Sequence, residues 1–573
     1  MKRRNIYIAS ILITGLLVWS SCTKFLDKQP VDVLTENSLL TDKAAFTAHM
    51  AYLYDQMPFE NFSKWIWLSY YTDEMVNCKQ DANTSQEFSF NSWKSGYTLI
   101  RALNNLIEKI PSATAFSSET EKNQALGEVR FMRAYVYFSL VQRYGGVPLV
   151  KKVSQLPASG DPSGLYQARD KAVDIYNFVE SEMDAAIGLM STNPTVYQFN
   201  KWSGLAYKAQ AMLYAASIAK YDQVQLNGLI GIPADQAQHF FASARDAAKL
   251  LIETGPYALY NKDANKITNY HNLFFDKSSA NKERILVDAF IYPIKGNRFD
   301  LFTAPFSHRG GQGYGGRFDP TFDMVESYEY TDNANGALKL TNPDGSPKEY
   351  ANPADLFNNK DPRFFASVIF PGSPWAGTTL KIYGNVIKDG KEIGGTGADG
   401  LAQPESSSTS FYLTKWADPV PPRPIAYGSS DVDRMMMRYA EVILNYAEAQ
   451  LELGNEPEAR KYVNMIRDRA GLQPLSSPLT MDAYRHERKI ELAYEGNRYW
   501  DLKRWRIFDK INYNTDTYAL WPVYNSDKNV YLFRKQKLPS DKYTRTFDPK
   551  LYYGKLEGGV IASNPLLVEN PGY

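Results

Sequence analysis

The sequence predicts a mostly α protein, a scaffold of tetratricopeptide-like helical hairpins that carries a large irregular, loop-rich insertion. Three observations predict it. Alanine-rich segments with apolar residues at helical spacing occur in pairs, the stretch 261–433 loses that spacing while gaining Gly, Pro, Tyr and Trp, and the spacing returns afterwards. Hairpins of this kind bury a face only by stacking on neighbours, so insertions project from the stack.

The chain opens with Lys2, Arg3 and Arg4, an apolar run from Ile6 to Trp19 too short to span a bilayer, and small Ser20 and Ser21 before Cys22. Residues 1–21 therefore read as a signal peptide resembling that of bacterial lipoproteins, with Cys22 as the lipid-bearing first residue of the mature chain. Lipid there would tether an otherwise soluble protein to a membrane. Cys78, the other cysteine, is then left without an intramolecular partner.

A helix is expected from Asp42 to Met57, capped by Thr41, with Phe46, Met50, Leu53 and Met57 inward. An aromatic loop follows at 58–93, then a helix from Tyr97 to Ile110. Gly127–Val150 is apolar on most sides, through Val129, Met132, Val136 and Leu140 and through Phe131, Tyr135 and Phe138, and should sit deep before Gly145, Gly146 and Pro148 end it. Its return helix is expected over Leu165–Met190, and a second pair over Lys201–Ala219 and Phe240–Thr254.

After the irregular stretch, Tyr439, Ile443, Ala447 and Leu451 share one side of a helix stopped by Gly454 and Asn455. A return helix from Pro457 carries Ala459, Val463, Ile466 and Ala470, and Gly471 caps it. From His486 to Trp505, Arg488 with Glu491 and Arg498 with Asp501 are spaced to pair along a helix beside Ile490, Tyr494, Trp500 and Trp505. The tail from Trp521 reads as irregular. The chain thus divides into 1–21, 22–260, a recognition region 261–433 and a C-terminal helical region with tail, 434–573.

Composition narrows the function. A net charge of +1, from 64 basic and 63 acidic residues interspersed, leaves no electrostatic footprint for nucleic acid. GQGYGG (Gly311–Gly316) and GTGADG (Gly395–Gly400) match the G-x-G-x-x-G pattern, but neither lies between a hydrophobic strand and a helix, as phosphate binding requires. His49, His239, His271, His308 and His486 are scattered without metal-ligand spacing, and no nucleophile elbow is present, so neither a metal nor a cofactor is expected. Asp73 and Glu74, among aromatics, are the most suggestive carboxylates for a glycosidase, against the alternative that they cap or pair within their loop.

Aromatics make up 14% of the chain, with 40 tyrosines. A sugar offers an apolar C–H face for such rings and a rim of hydroxyls for polar side chains. The loop-borne candidates for ligand binding are Trp65, Trp67, Tyr70, Asp73, Trp93, Arg309, Tyr314, Trp375 and Trp416.

The runs RYAEVILNYAEAQLELGN and ERKIELAYEGNRYWDLKRW closely resemble the C-terminal signature of the SusD/RagB group of outer-membrane nutrient-binding lipoproteins. RFMRAY, YGGVP and the closing Asn-Pro-Gly-Tyr resemble the same family. The resemblance implies a SusD-like fold and a surface-exposed, lipid-anchored protein of the cell outer membrane in a Bacteroidetes-type bacterium. It also implies a non-enzymatic role, binding oligosaccharides and delivering them to a SusC-like TonB-dependent transporter. Peptide binding for the same kind of import, or glycan hydrolysis, are the alternatives.

Overall fold

The computed structural model describes residues 36–59, 66–78, 92–476, 478–511, 515–544 and 548–573. Cys22, the leader and Trp65 lie outside them. Two compact units are defined, Met1–Gln56 with Glu108–Lys122, and Met57–Ile107 with Asn123–Tyr573.

In the first unit, helix α1 (Lys43–Gln56) is capped by Asp42 rather than Thr41: the Asp42 carboxylate accepts the N–H of Ala44 at 2.7 Å. Thr41 instead ends a short helix, Glu36–Thr41. Phe46 meets Phe116 edge-on with ring centroids 4.9 Å apart.

Among the described residues, the remaining helices of eight residues or more are α2 (Trp93–Lys109), α3 (Glu119–Tyr144), α4 (Ala172–Leu189), α5 (Lys201–Tyr221), α6 (Ala237–Thr254), α7 (Lys266–Phe275), α8 (Tyr439–Glu452), α9 (Glu456–Ala470), α10 (Met481–Glu491) and α11 (Asn497–Arg504). The three expected hairpins are present. Arg133 of α3 pairs with Glu182 of α4 at 2.5 Å, and Phe138 meets Tyr176 edge-on. Asn200 and Ser203 form a capping box at the start of α5, whose alanine-rich face packs on α6. α8 packs on α9, α6 and α5, so the third hairpin stacks directly on the second although all of 261–433 intervenes. Gly471 closes α9 in the left-handed region, its N–H donating to the carbonyls of Arg467 and Asp468.

Three expectations need correcting. Arg488 and Glu491 both lie in α10 and Arg498 and Asp501 both in α11, but the chain turns between the two helices through Tyr494 and Gly496, both left-handed (φ 66° and 80°). These charges take other partners, Asp501 pairing along α11 with Arg504 at 2.9 Å. Arg488 reaches Asp501 at 2.7 Å, Arg498 reaches Asp73 at 2.9 Å, and Glu491 takes Arg438 at 2.7 Å and Arg363 at 3.0 Å. The tail is not irregular: β5 (Tyr518–Asn525) and β6 (Val530–Lys537) form an antiparallel hairpin. Pro522 hides it from sequence reading, because proline donates nothing to a ladder. Within the loop-rich stretch, α7 forms behind an Asn265 cap whose side chain accepts the N–H of Ile267 and Thr268.

Two sheets tie that stretch to the C-terminal region. β1 (Arg284–Asp288) pairs antiparallel with β4 (Arg434–Arg438). β2 (Asn385–Lys388) and β3 (Lys391–Gly394) extend the hairpin into a sheet ordered β6-β5-β2-β3, with β5 and β2 parallel. A buried ionic network reinforces the junction. Arg438, 1% exposed, is surrounded by Glu283, Glu491 and Glu495, each at 2.7 Å, and Lys415 reaches Glu495 at 2.6 Å. Burial alone would raise the Glu491 carboxyl, but Arg469, Arg438 and Arg363 outweigh it and hold it well below the usual carboxylate range.

Candidate functional site

The core under the insertion is largely aromatic and runs outward. Trp416, 1% exposed, meets Phe299 edge-on at 5.7 Å; Phe299 stacks on Phe318 at 5.5 Å, and Phe318 lies 5.9 Å from Phe302. Phe302 then supports Tyr314 at 6.4 Å, and Tyr314 meets Tyr427 edge-on at 6.4 Å. The last two rings are 51% and 58% exposed. Rings that are buried on one side and open on the other form a rigid apolar surface, which costs little entropy to present.

Loops from three parts of the insertion build this surface. Asn297 and Ser430 exchange backbone hydrogen bonds, joining segment 291–298 to segment 420–430. Gly296 allows that approach, since a Cβ there would lie 1.8 Å from the Gly428 carbonyl oxygen. Exposed Tyr292, Ile294 and Val420 also lie on these segments, and Arg423 stands 4.5 Å over the Tyr292 ring. Arg298 stacks on Tyr427, its guanidinium carbon 3.8 Å from the ring centroid.

Tyr314 is held in the left-handed region (φ 73°), where a non-glycine residue persists only when its surroundings fix it. Glu405, also left-handed, accepts the Tyr314 N–H with its carboxylate. Arg309 locks the Glu405 loop from behind, donating to the carbonyls of Glu405 (2.9 Å) and Pro404. It is 2% exposed, so it positions the loop instead of facing solvent. Gly316 (φ 58°) lets the chain pass the Ser406 backbone, which a Cβ would meet at 2.7 Å. The Cys78 N–H donates to the Gly316 carbonyl, so the chain leaving Met75–Val76 reaches the same place.

A polar chain lies beside Arg309. Asp399 accepts from Ser307 Oγ at 2.7 Å, Ser307 Oγ lies 2.8 Å from His308 Nδ1, and His308 Nε2 lies 3.0 Å from Thr378 Oγ1. The carboxylate bonds the serine and not the imidazole, the reverse of the order in a nucleophilic triad.

The residues expected from sequence fall into distinct places. Tyr314 is on the exposed surface, and Trp67 is 42% exposed at the start of the turn Leu68–Tyr71. Tyr70, Trp93, Trp375 and Trp416 are buried, at 4%, 6%, 5% and 1% exposure, and serve packing in this structure. Asp73 bonds Arg498 at 2.9 Å and Lys489 at 2.8 Å; burial alone would raise its carboxyl, but the two cations bring it far below the usual range. Glu74 is fully buried, accepting from Ser69 Oγ at 2.6 Å and the Tyr494 N–H at 2.9 Å. The suggestive acid pair therefore clamps the loop to the α10–α11 turn. Tyr427, Tyr292, Arg298 and His308 were not candidates, and only the Gly and Pro around Tyr427 and Tyr292 signalled exposed turns.

A second concavity lies among α3, α5 and α8, lined by Tyr135, Tyr207, Gln210, Arg488 and Trp500. Its volume, about 100 Å³, is below the several hundred Å³ of usual ligand pockets. Among the described residues, no group of three or more His, Cys, Asp or Glu side chains could hold a metal ion, and no helix is long and apolar enough to cross a membrane.

Comparison with known proteins gives one family. A profile described as "SusD family" matches residues 261–573, and one described as "Starch-binding associating with outer membrane" matches residues 24–213. The chain is 24% identical to the SusD-like protein P38 of Formosa agariphila, over 91% of this chain and 96% of that one. It is 22% identical to a SusD-like protein of Bacteroides ovatus, over 98% and 97%. Among solved structures, a SusD-like protein of Bacteroides fragilis superposes with a TM-score of 0.70 at 23% identity, covering 95% of this chain and 100% of that one. A SusD-like carbohydrate-binding protein of the same species gives 0.68 at 20% identity, covering 92% and 99%.

Proposed function

The chain belongs to the SusD family, and from that premise we propose that it is a cell-surface, glycan-binding lipoprotein of the outer membrane, anchored through Cys22. It hands oligosaccharides to a SusC-like TonB-dependent transporter and performs no chemistry on them. The observation that carries the reading is the exposed Tyr314–Tyr427 face, rooted through Phe302 in the aromatic core and bordered by Arg298. Sugar rings stack on such a face, and polar side chains at its border take the hydroxyls. Tyr292, on the segment joined to that of Tyr427, is a further exposed ring for a longer chain. The basic, apolar and small-residue leader before Cys22 supports the anchor, and the outer-membrane description of the matched profile supports the location.

Titrating the purified protein with an oligosaccharide and peptide panel, by calorimetry with product analysis, tests the reading. Saturable glycan binding without products is expected, weakened roughly 10-fold or more by Tyr427→Ala or Tyr314→Ala, as aromatic anchors at binding sites cost about 2 kcal/mol or more when truncated. Binding of peptides alone, cleavage of the glycan, or full affinity in both variants would each overturn it. Delivery is checked by co-purification with the transporter from outer membranes.

A further inference from the structure

We propose that the Tyr314–Tyr427 surface takes an acidic saccharide, one bearing a carboxylate or sulfate, and that Arg298 binds the anionic group. The inference rests on the glycan-binding reading and adds the ligand's chemical class. Arg298 is exposed, and its guanidinium carbon stands 3.8 Å from the Tyr427 ring centroid, the separation of a guanidinium stacked on an aromatic face. Stacking occupies a guanidinium's face and leaves its in-plane N–H donors open, in a fork that matches carboxylate and sulfate oxygens. Among the described residues, no hydrogen bond or ion pair engages the Arg298 side chain.

Arg317, whose guanidinium carbon lies 5.7 Å from the Tyr314 ring centroid, also sits beside Asp319, and four further cations of the insertion are engaged. Arg423 stacks on Tyr292 in a similar way, but donates to the Ser429 carbonyl at 2.8 Å and to Asp431 at 3.1 Å. Lys295 pairs with Asp288, and Lys277 with Asp433 at 3.1 Å. Arg309 spends its terminal nitrogens on the Pro404 and Glu405 carbonyls. The acid nearest Tyr314, Glu405, is engaged by the Tyr314 N–H.

The Arg298 backbone is also fixed. Asn297 beside it donates through Nδ2 to the Val432 carbonyl at 3.0 Å and accepts the Phe299 N–H at 2.9 Å, while its backbone joins Ser430. Tyr427 belongs to the segment that ends in Ser430. Ring and guanidinium are thus held together before any ligand arrives, which lowers the ordering cost of binding. A neutral sugar needs the ring alone; a donor fork stacked beside it gains from an anionic substituent.

The test compares wild type, Arg298→Gln and Arg298→Lys against oligogalacturonate, a sulfated galactose oligosaccharide, their neutral galactose counterpart and a broader array of neutral, uronate-bearing and sulfated glycans. Thermal melts check that each variant folds. Acidic members should bind, more weakly as salt rises. Arg298→Gln should weaken them roughly 10-fold or more, and Arg298→Lys less, because lysine keeps the charge without the fork. Preference for uronate or for sulfated members identifies the source of the anion. Binding of neutral glycans only, or acidic binding indifferent to Arg298→Gln, would overturn this inference and leave the glycan reading standing. Silence of the wild type across the whole array would overturn both.

Discussion

Arg438 sits almost without solvent between Glu283, Glu491 and Glu495, and also donates to the Glu491 carbonyl. Removing one partner of such a group leaves uncompensated buried charge, so Arg438→Met should cost about 3–5 kcal/mol in denaturant unfolding. An unchanged midpoint would show the network to be dispensable. Glu74 and Asp73, adjacent in sequence, should affect stability in opposite pH windows. Burial raises the Glu74 carboxyl from 4.5 to about 7, against the hydrogen bonds from Ser69 and Tyr494. The folded state therefore holds its proton more tightly, so this contribution is full below pH 4.5 and lost as pH rises through about 7. The span corresponds to about 3 kcal/mol, and Glu74→Gln should remove that slope from stability measured across the range. Asp73, depressed by Arg498 and Lys489, instead contributes above its ordinary 3.8 and loses that contribution only in stronger acid.

At the level of elements, the loops that present Tyr314 are over-determined by backbone geometry. Gly316→Ala meets both a left-handed φ and the Ser406 backbone. It should cost about 1–3 kcal/mol and weaken glycan binding by displacing Tyr314, without touching ligand itself. Calorimetry of binding beside a thermal melt separates the two effects, and intact affinity would show that the loop tolerates the shift. Trp416→Ala should behave differently. Its ring lies against Phe274 and Phe299 inside the core, so a loss of about 3–5 kcal/mol in stability is expected. Tyr427→Ala, on a ring open to solvent, should leave the melt nearly unchanged while affinity falls.

Across the whole molecule, the helical hairpins were legible because their signal is local. Residues three and four apart share a helix face, so Ala459, Val463, Ile466 and Ala470 announced a buried stripe, and Gly471 announced where it stops. The β5–β6 hairpin was missed where Pro522 interrupts an otherwise strand-like run, and α7 because its helix is short. The ionic signature was readable as dense charge beside aromatics but not as a set of partners, since Glu491 pairs with Arg363 and Arg438 and Arg498 with Asp73, all distant in sequence. The sequence by itself determined the repeat scaffold, the irregular region between its hairpins and the family. Only the tertiary structure decided which aromatics face solvent. Trp416 and Tyr427 stand in similar Pro-rich loops, and what separates them is packing against Phe299 in one case and under Arg298 in the other. Those contacts join residues more than a hundred positions apart, where no local periodicity carries information.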